Sequence, residues 1–152
     1  MPPLCLPAAS QLTTALRHRA GVRIGLDTVG VHEVDAAWRH FGQRYLSKLF
    51  TDDEVAYSLS APACSAERLA ARFAAKEAVI KALNLGEAGV SFKDIGIQHG
   101  AGGEPRLALQ GLARQALDVL GPADVAVSLS HDPTHACAVV VIVPLGPVQM
   151  DA

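Results

Sequence analysis

Apolar positions along the chain switch between two periods, and the switches mark its elements. Val22-Arg23-Ile24-Gly25-Leu26-Asp27 alternates as a half-buried strand does and ends on an acid. From Glu33 to Lys48 the spacing of Trp38, Phe41, Tyr45 and Leu49 is helical, and Gly42 predicts a break into two helices. Thr51-Asp52-Asp53-Glu54 has the form of a capping box, with Thr51 as N-cap and Glu54 as its reciprocal partner. It opens a short helix to about Leu59, and Pro62 ends any continuation. Ser65 to Leu83 is alanine-rich, without proline or glycine, and predicts the strongest helix in the chain, with Ser65 as N-cap.

Beyond Gly86 and Gly89 the period changes to two. Asp94 to His99 and Pro105 to Gln110 read as strands around the turn Gly100-Ala101-Gly102-Gly103. Gly111 to Leu120 reads as a helix closed by Gly121-Pro122. Asp124 to Ser130 is a strand, and His131-Asp132-Pro133-Thr134 turns the chain into a last strand, His135 to Val143. The order β-α-α-α-β-β-α-β-β predicts an α+β fold with a mainly antiparallel sheet and one long packed helix. Residues 1–20 read as an N-terminal extension with a helical stretch from Ala8 to Arg19. Residues 21–144 form the domain, and 145–152 a C-terminal tail.

Composition narrows the class. Of 152 residues, 50% are apolar and 18% charged, which suits a single domain with a buried core. The formal charge of −2 shows no global pull toward nucleic acid or an anionic membrane. The longest apolar run, Ala136 to Val143, is far short of the roughly 20 residues that cross a bilayer as a helix. Met1 to Pro7 lacks the charged start and apolar run of a signal peptide. Cys5, Cys64 and Cys137 are odd in number and widely spaced, so a disulfide framework is not expected and the reducing cytoplasm is.

Three segments carry candidate chemistry. On the long helix, at about 100° per residue, Leu69, Phe73, Ile80 and Leu83 share one face. Arg68 and Arg72 flank one side of that stripe, and Glu77 and Lys81 the other. Glu77 therefore stands at the edge of the core, where a carboxylate needs a cation or a donor. The simplest neutraliser is Lys81, as an i,i+4 pair. Asp27 supplies a second acid at the end of the first strand. Two carboxylates on separate elements, with basic residues nearby, are the minimum for holding Mg²⁺ against a phosphate. The third segment, Ser128-Leu129-Ser130-His131-Asp132, offers an imidazole and a carboxylate at a strand end, and reads equally as a well-formed turn. His131, His135 and Cys137 lack a fourth zinc ligand. The glycine-rich turn lacks the P-loop pattern and its following helix.

Taken together, Ile24-Gly25-Leu26-Asp27, Arg72-Phe73-Ala74-Ala75-Lys76-Glu77-Ala78-Val79-Ile80-Lys81-Ala82-Leu83 and Val127-Ser128-Leu129-Ser130-His131-Asp132 resemble the holo-[acyl-carrier-protein] synthase branch of the 4′-phosphopantetheinyl transferases. The central block is highly specific, and the similarity runs from Val22 to Val143. The resemblance implies Mg²⁺-dependent transfer of 4′-phosphopantetheine from coenzyme A to a serine of an apo acyl carrier protein. The other product would be adenosine 3′,5′-bisphosphate. It implies Asp27 and Glu77 as metal ligands. Arg72, Lys76, Lys81 and His131 would be contacts to coenzyme A, with Glu77 and Lys81 catalytic. Either Glu77 or a metal-bound water would take the serine proton. It further implies a homotrimer with sites at the seams between protomers, so that His131 and Asp132 serve a neighbour's site.

The departures from the family pattern concern the carrier and the nucleotide. Gly30 stands where relatives often have an acid, and Glu33 where an arginine of the carrier-docking helix is common. Like charges across an interface are unfavourable; Arg39, Arg44 and Lys48 remain as an alternative docking patch. Asn84-Leu85-Gly86-Glu87 alters the usual glycine-rich stretch. Ser60 to Ser65 has no basic residue for the 3′-phosphate, a lack for which Arg68 would compensate. A non-catalytic relative that binds coenzyme A or a carrier without transfer is the competing reading. Retention of Asp27, Lys76, Glu77 and Lys81 argues for the enzyme.

Overall fold

The computed structural model describes residues 21–146, so the stretch from Ala8 to Arg19 and most of the assigned tail lie outside the described residues. Strand β1 (Arg23–Gly30) is followed by α1 (Val31–Phe41), α2 (Gln43–Leu49), α3 (Asp52–Leu59) and, after a 3-10 turn at Pro62–Cys64, the long helix α4 (Ser65–Ala82). A second 3-10 turn (Phe92–Asp94) leads to β2 (Ile95–His99) and β3 (Pro105–Leu109), then α5 (Gly111–Val119), β4 (Ala123–His131) and β5 (His135–Pro144). Two antiparallel sheets result, β1-β5-β4 and β2-β3. This is the α+β class that the sequence pattern predicts.

Local signals in the sequence account for most boundaries. Gly42, at φ 55°, separates α1 from α2 in a conformation that costs a glycine little. The capping box closes from both sides. Glu54 N donates to Thr51 Oγ1 at 3.2 Å, and Thr51 N donates to Glu54 Oε2 at 2.8 Å.

Two expectations are corrected. Asp27 does not end β1: the strand continues to Gly30, which pairs with His135, because β5 is long enough to carry the ladder three residues further. Ser65 is not the N-cap of α4. Pro62 opens a 3-10 turn that runs directly into the helix, Cys64 holds the cap position, and the Ser65 hydroxyl donates back to the Ala61 carbonyl at 3.3 Å.

The core lies between α4 and the central strand β5. Ala136, Ala138, Val140 and Ile142 are at most 1% exposed, and Ala70, Ala74, Ala75 and Ala78 of α4 are fully buried. Large side chains such as Phe50, Leu69 and Ile95 are fully buried as well, each stabilising the fold by roughly 1.5–3 kcal/mol. Alanines let the helix approach the sheet closely. A Cβ at Gly25 would overlap the Ala78 carbonyl oxygen, so only glycine fits at that point of β1. This contact carries the next inward-facing residue, Asp27, against the last turns of α4. Among the described residues the opposite face of the sheet is left open, with Ile24 56% and Leu26 61% exposed and register-paired to Val141 and Val139.

Candidate active site

Asp27, Glu77 and Lys81 come together where β1 crosses α4. Lys81 Nζ donates to Asp27 Oδ1 at 2.8 Å and to the Leu26 carbonyl at 2.9 Å. The i,i+4 pair expected between Glu77 and Lys81 is not the bond that forms: the β1 backbone and Asp27 take the ammonium instead. Partial burial raises the Glu77 pKa, and the neighbouring Asp27 carboxylate raises it further against a smaller opposing effect of Lys81. The site therefore holds two close carboxylates and one ammonium, and that ammonium is engaged by Asp27. Such a donor set fits a hard divalent cation, which takes one or two carboxylates and completes its shell with water and substrate oxygens. Among the described residues no group of three or more His, Cys, Asp and Glu gathers to enclose a metal ion.

Arg72 and His131 meet elsewhere, in a cavity of about 290 Å³ that Tyr57, Arg68 and His99 also line. Arg72 is five residues before Glu77, about 7.5 Å along the helix and on a different side of it. It is 2% exposed, and burial lowers its pKa. Its Nη1 donates to the Arg68 carbonyl at 3.1 Å, its Nη2 lies 2.7 Å from His99 Nε2, and its Nε–H finds no acceptor among the described residues. The guanidinium carbon sits 4.2 Å from the centre of the Tyr57 ring. Arg68 donates to the Tyr57 carbonyl at 2.9 Å and to Ser60 Oγ at 3.0 Å. His131 Nδ1 is 3.1 Å from Glu67 Oε2. The cavity wall thus combines cations, imidazoles and an aromatic face, a chemistry suited to phosphate and a flat base.

Lys76 belongs to neither group. It is fully buried, and its ammonium donates to Glu54 Oε2 at 2.8 Å, to the Phe92 carbonyl at 2.9 Å and to the Ile95 carbonyl. The expectation of a coenzyme A contact at Lys76 is corrected: with three internal acceptors and no exposed surface, the side chain ties α4 to α3 and β2. Burial lowers its pKa, and Glu54 opposes that effect. Glu54 also accepts from Ile97 N at 2.8 Å. The capping box signalled Glu54 as a local cap only; its second role depends on elements that are distant in sequence.

Asp132 is likewise spent on structure. Its Oδ1 accepts from His135 N at 2.8 Å and from Thr134 N and Oγ1, both at 2.7 Å. These bonds hold its pKa at about 2, as expected for a carboxylate that braces a turn. On the first helices, Arg39 pairs with Asp35 at 2.8 Å, whereas Arg44 and Lys48 line a groove with Phe41, Tyr45 and Leu49. Glu33 is exposed at the start of α1.

Comparison with known proteins places these features in context. Residues 23–140 match the family model of the 4′-phosphopantetheinyl transferase superfamily. A holo-[acyl-carrier-protein] synthase of Gloeobacter violaceus is 39% identical over 121 residues, covering 80% of this chain and 92% of the relative. Among solved structures, a Chronobacterium ammoniagenes ACPS–CoA complex superposes with a TM-score of 0.72 at 25% identity, covering 83% of this chain and 99% of the other. The Helicobacter pylori holo-[acyl-carrier-protein] synthase in complex with coenzyme A gives 0.68 at 28% identity, covering 78% and 98%.

Proposed function

The chain belongs to the holo-[acyl-carrier-protein] synthase branch of the 4′-phosphopantetheinyl transferase superfamily, and from that membership we propose how its residues carry the reaction. It transfers 4′-phosphopantetheine from coenzyme A to a serine of an apo acyl carrier protein. The observation that carries the assignment of the reacting centre is the meeting of Asp27, Glu77 and Lys81 at the β1–α4 contact. Asp27 and Glu77 are the residues that would hold Mg²⁺, which when bound supplies positive charge to the coenzyme A diphosphate. Lys81, half-exposed beside Asp27, meets the phosphates and stabilises the charge that develops on the leaving group. Phosphoryl chemistry asks for alignment and charge neutralisation rather than a covalent enzyme intermediate, and these side chains supply that.

Arg72 and His131 are phosphate-side contacts on the wall of the second cavity. Their separation from Asp27 and Glu77 within one chain supports a site completed between copies. The open face of the three-stranded sheet, with Ile24 and Leu26 exposed, offers the apolar surface for a homotrimer. The groove of Phe41, Arg44, Tyr45, Lys48 and Leu49 is the surface for the acidic carrier. We assign the reaction to the cytoplasm and to carriers of fatty-acid synthesis.

The test is intact-mass measurement of apo carrier proteins incubated with the protein, coenzyme A and Mg²⁺. A gain of roughly 340 Da, the mass of one phosphopantetheinyl group, that disappears with EDTA is the expected result. Transfer that persists after complete removal of divalent ions would overturn the metal assignment.

A further inference from the structure

The bonds around Arg72 define a role for His99, a residue outside the motifs that mark the family. A guanidinium has no acceptor atom, so at the 2.7 Å contact Arg72 Nη2 donates and His99 Nε2 must present a lone pair. The other ring nitrogen, His99 Nδ1, lies 3.1 Å from the Gly103 carbonyl oxygen, which can only accept. Both contacts are satisfied by one state alone, the neutral ring with its proton on Nδ1. Protonation of Nε2 would oppose two N–H groups and two positive charges at hydrogen-bond distance.

The surroundings keep the ring in place. His99 stacks on Tyr57, with centroids 4.3 Å apart and planes 26° from parallel. Gly103, at φ 83°, closes the β2–β3 turn through a bond from its own N–H to the Gly100 carbonyl at 2.9 Å. The glycine-rich turn, which has no phosphate-binding motif, thus holds the acceptor that sets the imidazole tautomer.

We propose that His99 is a positioning residue for Arg72: its neutral imidazole holds the guanidinium in the orientation that receives a phosphate group of coenzyme A. This rests on the reading of Arg72 as a phosphate contact. Tyr57 from α3, Cys64 from the 3-10 turn, Arg68 and Arg72 from α4 and His131 from β4 line the same cavity as His99, and Glu104 and Arg106 stand beside Gly100 of the turn. Glu104 and Arg106 are paired with each other at 2.6 Å, and His131 contacts Glu67.

The test compares KM for coenzyme A, kcat and thermal stability in wild type, His99→Phe, His99→Gln, Arg72→Ala and the Arg72→Ala/His99→Phe double variant. Phenylalanine keeps the stacking and removes the acceptor. Glutamine keeps an acceptor. His99→Phe is expected to raise KM about tenfold, the loss of one hydrogen bond to a charged group, with kcat near wild type and a melting temperature a few degrees lower because a buried donor loses its acceptor. His99→Gln, which keeps an acceptor, restores KM toward wild type. In the Arg72→Ala background His99→Phe adds nothing. An unchanged KM in His99→Phe while Arg72→Ala raises it overturns the positioning role alone. An unchanged KM in Arg72→Ala overturns the phosphate reading beneath it. If His99→Phe does not fold, His99→Leu takes its place with the same expected rise in KM, and an unchanged KM in that variant refutes the proposal.

Discussion

Lys81 reaches past Glu77, its neighbour one helical turn back, and bonds Asp27 from a position 54 residues away in sequence. The consequence is an imbalance. Among the described residues the ammonium bonds Asp27 and not Glu77, so the carboxylate at the edge of the core is held above its ordinary pKa by burial and by Asp27, with Lys81 opposing the shift less strongly. A site that lacks one positive charge is prepared for a cation brought from solution.

Glu77→Gln is expected to lower transfer by at least about 10²-fold, because a neutral amide cannot replace the charge of a metal-holding carboxylate. The fold should survive. A group whose folded pKa is raised stabilises the fold relatively more at low pH and loses that contribution as pH rises through the raised value. Metal-free wild type should therefore melt below Glu77→Gln at neutral pH, and the two should converge as pH falls below the ordinary carboxylate range. Melting curves with EDTA across that range, together with intact-mass transfer assays, check both halves. An active Glu77→Gln would remove Glu77 from the metal site.

Gly25→Ala is expected to destabilise by about 1–3 kcal/mol, the usual cost of forcing a methyl group into a packed contact. Here the obstacle is helix backbone at Ala78, which cannot rotate aside. Because the same contact seats Asp27 beside α4, turnover per folded molecule should fall as well. Denaturant unfolding gives the first quantity and single-turnover transfer the second. Unchanged transfer would show that Asp27 keeps its place without the close approach.

Lys76→Met and Glu54→Gln are each expected to cost about 3–5 kcal/mol, since each leaves its former partner buried without its counter-charge. The double variant should lose less than the sum of the two. In all three proteins KM for coenzyme A should match wild type for the fraction that remains folded, because Lys76 is fully buried. A KM effect in Lys76→Met at full folding would return Lys76 to the list of substrate contacts.

Glu33→Arg should lower the apparent KM for a typical acidic carrier severalfold, by removing a like charge at the exposed start of α1. The gain should shrink with added salt, as a surface charge effect does. Steady-state kinetics at two salt concentrations check this, with KM for coenzyme A as an internal control. No change in carrier KM would place the docking surface away from the start of α1.

Much of the architecture was legible because its signals are local. The Thr51–Glu54 box, the Gly42 break, the alanine-rich stretch of α4 and the two hairpin-like strand pairs are each written within a few residues, where backbone hydrogen bonding and side-chain size decide the outcome. The ends that were misread, at Asp27 and Ser65, depend on partners elsewhere: β5 extends β1, and the turn at Pro62 displaces the cap. The motif residues of the site were legible as types and as order along the chain. What was not legible was who binds whom. Lys76 lies between Arg72 and Glu77 in the most specific block of the sequence and still faces the core.

By itself, then, the sequence determined the elements, the fold class and the family, together with the acids and bases that the chemistry requires. The tertiary structure alone decided the pairings: Lys81 with Asp27 rather than Glu77, Lys76 with Glu54 across 22 residues, and His99 with Arg72 across 27. The reason is physical. Helix and strand signals act through near neighbours along the chain, whereas charge pairing and pKa shifts depend on distance and burial in space, and here the close approach of α4 to β1, β2 and β5 sets both.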